Sequence, residues 1–238
     1  MKWDPPAPKM KETVLTLRAV WNSWQTGTKL DFRGRFYRLD LMTPFFSPGP
    51  IEHPSIPVYL AAVNAGMCRA AGSVADGVNV HPLHTVRYLR EVIHPAIAAG
   101  AAKAGRKRED VTLAASVFAA VGETEQEVRN VREAFREQIA FYASTPAYRP
   151  VLDAHGWGAL QEELTPMSKA GRWTEMRDLI DDDILDAFAI VAAPGQVAAA
   201  ISKRYGDLFT RLHLYLKAPL PKAAELSIAD ELRRQPSR

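Results

Sequence analysis

Two short apolar runs, Ile56-Pro57-Val58-Tyr59-Leu60-Ala61-Ala62 and Gly77-Val78-Asn79-Val80, bracket a stretch of small residues, and this pattern constrains the chain more than any other. The first run is too short and too β-branched for a helix, Asn64-Ala65-Gly66 supplies turn chemistry, and Asp76-Gly77 ends the small-residue helix before the second run. The spacing predicts strand, tight turn, short helix, strand: one βαβ unit of a parallel sheet. A turn at the C-terminal end of such a strand presents backbone N–H groups and the positive end of the next helix, where a phosphate binds well. An ordinary βα turn has the same spacing, so both readings stand on these residues alone.

Helical spacing of Val14, Leu17, Trp21 and Trp24 predicts an amphipathic helix from about Lys9 to Gln25, stopping near Gly27, with both tryptophans in the core. Aromatic runs around Gly34 suggest a small hairpin between Leu30 and Leu41, followed by a proline- and glycine-rich loop from Thr43 to Pro57. Thr85 can cap a helix that ends near Gly105 and carries Pro95 as a kink or a new turn. Val111 to Val121 predicts a buried strand, and Thr124-Glu125-Gln126-Glu127 a capping box for a helix burying Val128, Val131, Phe135, Ile139 and Tyr142. Helical segments follow over Val151–Leu164, Trp173–Phe188 and from Pro194-Gly195 through Tyr205, then a strand over Leu212–Leu216. Four strands of the strand-then-helix kind are expected, in a single domain of residues 1–238 whose last part, 218–238, is a tail. That is half of the units in a (β/α)8 barrel.

The balanced charge, +3 overall, comes from dispersed Lys and Arg without a dense basic run, so neither nucleic acid nor a membrane is expected as a partner. One cysteine, Cys68, excludes an intrachain disulfide and a cysteine-rich metal cluster; with no apolar signal segment at the start, a cytoplasmic location is expected. Neither His81 nor His84 stands at metal-ligand spacing with carboxylates, and no metal site is expected. Asp181-Asp182-Asp183 reads as a helix start, where carboxylates complement the dipole, in preference to an acid–base pair.

Pro57-Val58-Tyr59-Leu60-Ala61-Ala62 with Ala75-Asp76-Gly77 and His81-Pro82 resembles the bacterial luciferase-like monooxygenase superfamily, and more closely its branch using the deazaflavin coenzyme F420. Leu41-Met42-Thr43-Pro44-Phe45-Phe46, the segment Phe141 to Arg149, and Arg204-Tyr205-Gly206-Asp207 are further marks of that branch. The similarity runs from Met1 to about Lys217 and is specific in combination. It implies an α/β fold: a partial (β/α)8 TIM barrel, its C-terminal half, with a helical insertion. Met1-Lys2-Trp3-Asp4 resembles an internal family segment, so the chain reads as truncated or misassigned at its start, lacking about 100 residues of a full barrel.

The resemblance implies hydride transfer between reduced F420 and a small organic substrate. It places the coenzyme phosphate at Ala62-Val63-Asn64-Ala65-Gly66-Met67, where Gly66 permits close backbone approach and Asn64 can donate through its amide. His81, at the end of the next strand, contacts the ring system or substrate or is simply packed. Tyr148, Arg149 and His155 fall in a segment that related barrels use as a substrate lid, or in a plain helix–helix connection. No catalytic acid or base is assigned. Two rival readings are an FMN-dependent monooxygenase and a non-catalytic binding protein keeping only the phosphate loop. An incomplete barrel leaves strand edges and an apolar face open, and so predicts a homo-oligomer.

Overall fold

In the computed structural model, residues 5–206 and 208–234 are described; Met1–Asp4 and Asp207, which carry part of the resemblance, and residues 235–238 lie outside them. The chain divides into two units, the first built from the described residues up to Asn79 with Pro95–Thr112, the second from Val80–His94 and the described residues from Leu113 onward.

The first unit opens with α1 (Pro6–Thr26), which begins at a proline placed where its missing N–H costs nothing and ends at Gly27 in the left-handed conformation, φ 72°. Its buried face is narrower than the spacing predicts: Val14 and Ser23 are buried, Leu17 is exposed, and Trp21 and Trp24 are only half-buried. The tryptophans are therefore not core residues. Trp24 lies at the surface end of the helix, where its indole N–H donates to the Met42 sulfur. The hairpin forms as expected from β1 (Phe32–Arg33) and β2 (Arg38–Leu39), paired antiparallel. Helix α1 holds its turn through Glu12, whose carboxylate accepts the N–H groups of Arg35, Phe36 and Tyr37 at 2.9, 2.6 and 2.7 Å. Burial pushes this carboxyl up, but the three backbone donors outweigh it and hold it below the ordinary glutamate value.

The long loop follows, with Leu41, Phe45, Phe46, Ile51 and Ile56 exposed on it. Then come β3 (Tyr59–Ala62), α2 (Ala65–Val74) and β4 (Gly77–Val80), with β3 and β4 adjacent in one sheet, as the βαβ reading requires. Asp76 ties this unit to α1: its carboxylate accepts the Val58 N–H at 2.7 Å and pairs with Arg18 at 2.9 Å.

Thr85 caps α3 (Val86–Tyr88), its hydroxyl accepting the Tyr88 N–H at 3.1 Å. The helix then widens into a π-turn over Leu89–Ile93 and continues as α4 (His94–Lys103). Pro95 has no N–H and its ring would strike the carbonyl four residues back; the widened turn lets the helix pass through it without a break.

The second unit is organised on β5 (Thr112–Val121), whose first residue belongs to the other unit. Helix α5 (Glu125–Ala143) follows, with the capping box in place: the Thr124 hydroxyl accepts the Glu127 N–H at 3.2 Å while the Glu127 carboxylate accepts the N–H of Thr124. Thr124→Ala should cost about 1 kcal/mol of stability, read as a shift in urea midpoint at unchanged slope. An unchanged midpoint would show that the cap contributes nothing. Short helices α6 (Arg149–Asp153), α7 (Gly158–Lys169), α8 (Trp173–Asp178) and α9 (Asp182–Phe188) make up the insertion. Asp181 caps α9 by accepting the Ile184 N–H at 2.8 Å, and Asp182 pairs with Arg132 and Arg136 of α5, so the acidic run is a helix start.

Next stand β6 (Ala189–Ala192), α10 (Val197–Tyr205), β7 (Arg211–Tyr215) and α11 (Lys222–Arg234). Strands β6 and β7 both run parallel to β5, β6 along Phe118–Val121 and β7 along Ala114–Phe118. With β6 the strand–helix strands among the described residues number five, one more than expected, and the segment expected as a tail carries a helix. The core of this unit is aromatic and aliphatic: Phe118 meets Phe135 at 5.0 Å and Tyr215 at 5.2 Å between ring centres, while Ile139, Leu152 and Phe188 are fully buried. Burying each such side chain contributes about 2–3 kcal/mol.

Candidate functional site

Strand β3 ends at buried Ala62, and the chain turns through half-buried Val63 and Asn64 into α2. Asn64 is extended, φ −99° and ψ 153°, and its carbonyl accepts the Cys68 N–H at 3.1 Å, so the helix starts at Ala65. The N–H groups of Ala65, Gly66 and Met67 have no carbonyl within the helix to bond. No acidic residue stands in that first turn to offset its positive end. A side chain built at Gly66 would meet nothing within 4 Å, so the surface above this turn is open to a ligand's oxygens. Cys68 beside it is fully buried, and burial pushes its thiol up to about 12, so it is a packing residue and not a nucleophile.

In the second unit His81 follows immediately on β4. It lies among tyrosines: stacked on Tyr148 with ring centres 4.6 Å apart and edge-on to Tyr142 at 4.7 Å. Both of its nitrogens are engaged, Nδ1 accepting the Leu83 N–H at 3.1 Å and Nε2 lying 3.1 Å from the Tyr148 hydroxyl. Burial pushes the imidazole below its ordinary value, so it is neutral at pH 7. Tyr142 stacks in turn over Phe118 of β5, and burial, with Tyr215 and Tyr148 close by, raises its phenol above the usual value.

The other residues singled out from the sequence go elsewhere. His84 is buried, its Nδ1–H donating to the His81 carbonyl at 2.9 Å. His155 stacks on Trp157 at 4.3 Å and its Nε2 lies 2.8 Å from the Thr85 hydroxyl, so it joins the segment between α6 and α7 to the turn that carries His81. Arg149 pairs with Glu162 at 2.7 Å and Asp153 at 3.5 Å, and these bonds raise its already high pKa. The arrangement thus brings His81 and Tyr148 into direct contact, adds Tyr142, and turns Arg149 toward two acids. In the sequence Tyr142 stands on the apolar face of α5 and within the family-like segment Phe141 to Arg149, with nothing local to pair it with His81. Among the described residues no group of three or more His, Cys, Asp or Glu could hold a metal ion, and no helix is long and apolar enough to cross a membrane.

Parallel strands alternating with helices, with a glycine turn and a histidine directly beyond two strand ends, define an α/β chain. The chain belongs to the luciferase-like monooxygenase family, whose model matches residues 1–211. It is 47% identical over 212 residues to an uncharacterized protein of Mycobacterium tuberculosis, covering 89% of this chain and 62% of that one. It is 28% identical over 207 residues to the 5,10-methylenetetrahydromethanopterin reductase of Archaeoglobus fulgidus, covering 84% and 58%. Among solved structures, the coenzyme F420 dependent tetrahydromethanopterin reductase from Methanopyrus kandleri matches with a TM-score of 0.68 at 22% identity, over 97% of this chain and 62% of that one, which shows the shared fold. The chain spans about three-fifths of the length of these relatives.

Proposed function

We propose that this chain is part of an F420-dependent oxidoreductase that transfers hydride between the reduced deazaflavin and a small organic substrate. The observation that carries the reading is the open turn at Gly66, where three helix-start N–H groups, half-buried and without a nearby acid, suit the phosphate of the coenzyme. Ala62 and Val63 bring the strand to that turn, Asn64 opens the helix, and Ala65, Gly66 and Met67 present the donors. The name of a sequence relative, the F420-dependent glucose-6-phosphate dehydrogenase of Nocardia farcinica, 32% identical over 103 residues, supports F420 as the coenzyme. When bound, the deazaflavin supplies the hydride; the protein holds its phosphate, orients the ring and excludes water. Aromatic side chains with few polar groups, as around Tyr148, suit a mostly apolar substrate.

Titrating the purified chain with F420, with FMN in parallel, tests this by the change in coenzyme fluorescence. Saturable F420 binding is expected, weakened about tenfold or more by Gly66→Leu. Among the described residues a Cβ at Gly66 meets nothing within 4 Å, so a wild-type melting temperature measured for the variant shows that a loss of binding reports the ligand and not unfolding. F420 binding that Gly66→Leu leaves intact would remove the phosphate from this turn. Binding of FMN alone would move the reading to a flavin monooxygenase.

A further inference from the structure

The hydrogen bonds around His81 determine which way a neighbouring proton points. The Leu83 N–H donates to Nδ1, so that nitrogen carries a lone pair. A neutral imidazole with a bare Nδ1 holds its proton on Nε2, and the group at 3.1 Å from Nε2 is the Tyr148 hydroxyl. Nε2–H is therefore the donor and the tyrosine oxygen the acceptor. The tyrosine's own O–H has to point away from His81, and among the described residues it has no other hydrogen-bond partner.

We propose that His81 is a positioning residue that fixes the Tyr148 hydroxyl as a hydrogen-bond donor, so that a ligand seated against this tyrosine presents an acceptor oxygen or nitrogen, such as a carbonyl or imine. Three further features of the site agree with that role. Tyr148 is only half-buried, so a ligand can reach it. Stacking on His81 and the edge of Tyr142 hold the phenol in one orientation, which lowers the entropic cost of donating. His81 itself has no nitrogen left to contact a coenzyme or substrate, so it acts through Tyr148. The proposal rests on the oxidoreductase reading only for calling this ligand the substrate; the direction of the proton is independent of the coenzyme.

Two measurements on the coenzyme-free chain test it. Nitrogen-15 NMR of the histidine rings should show His81 with a pyrrole-type Nε2 and a pyridine-type Nδ1; the reverse tautomer would overturn the proposal. Cyclohexanone and methylenecyclohexane have nearly the same shape, but only the first offers an acceptor. By saturation-transfer titration, wild type should prefer the ketone, and Tyr148→Phe should weaken ketone binding about five- to tenfold while leaving the alkene unchanged. His81→Gln, which keeps an N–H donor, should retain more of the preference than His81→Leu. A ketone that fails to bind, or binds wild type and Tyr148→Phe equally, overturns the assignment. F420 titration of the same proteins separates the two readings: F420 binding without ketone selectivity removes this proposal alone, and Tyr148-dependent selectivity without F420 binding removes the coenzyme alone.

Discussion

Gly100→Ala is expected to destabilise the chain by about 3 kcal/mol or more, against the sign that helix propensity alone would give. Alanine in a helix interior is ordinarily better than glycine by up to about 1 kcal/mol, because glycine loses more backbone freedom on folding. At Gly100 of α4, however, an added Cβ would lie 2.1 Å from the carbonyl oxygen of Arg69 and 2.8 Å from its carbonyl carbon. A Cβ added at Gly72 of α2 would meet the other helix in the same way, 2.2 Å from the carbonyl oxygen of Ile97. In both cases the obstacle is backbone, which cannot swing aside as a side chain does, so the two helices have to separate. Separation opens voids beside Ala71, Ile97 and Ala101, all fully buried, and each lost contact adds to the cost. Urea unfolding of Gly100→Ala beside Gly66→Ala gives the comparison. Gly66 has nothing within 4 Å and should tolerate the methyl, whereas equal stability of both variants would show that α2 and α4 do not meet as closely as described.

That pair of glycines also shows where sequence reading stops. The small residues of both helices are plain in the chain, and their helical state follows from local signals, but nothing local says that Gly72 and Gly100 face one another. Features written within a few residues come through well: the stop at Gly27, the Thr124 capping box, the Thr85 cap and the βαβ unit ending at Val80. Strand β6 does not, because Ala189–Ala192 is four residues directly after a helix, with no turn residue between, and it is a strand only through pairing with Phe118–Val121 of β5. The tryptophans of α1 fail for a related reason, since a 3.6-residue period marks a face without saying how much of it is covered. In the candidate site, resemblance brought out Tyr148 and His81 separately. Their contact across 67 positions, and the use of His81 Nδ1 by the Leu83 N–H, depend on tertiary structure. Arg149 illustrates the converse: its neighbours Asp153 and Glu162 stand within reach on the same local helices, and their carboxylates take it up.

Lowering the pH from 7 to 4 should remove about 3 kcal/mol of stability through His84 alone. The ring is 1% exposed, and burial pushes its pKa from an ordinary 6.5 down to about 4; the His81 carbonyl, accepting from Nδ1–H, pulls it partly back, and the nearby His81 ring lowers it further. The rings packed against it are Tyr205 at 5.8 Å and Phe209 at 5.4 Å, and burial holds Tyr205 protonated by raising its phenol to about 12. Nε2 has no hydrogen-bond partner among the described residues, so a proton added there is buried without compensation. The unfolded chain takes up that proton below about pH 6.5 and the folded chain only near pH 4, so between those values the unfolded state binds more protons and stability falls as pH falls. Carboxylates such as Asp182 and Glu12, held below their ordinary values, also lose their contribution on acidification, but in a lower window. Comparing wild type with His84→Gln separates the two contributions, because glutamine retains an N–H donor for the His81 carbonyl and does not titrate. Urea midpoints measured from pH 7 to pH 4 should fall more steeply for wild type than for His84→Gln, whatever the variant costs at neutral pH. Parallel slopes would mean that the His84 ring reaches solvent or an acid partner when protonated, and that the orphaned nitrogen imposes no acid limit on the fold.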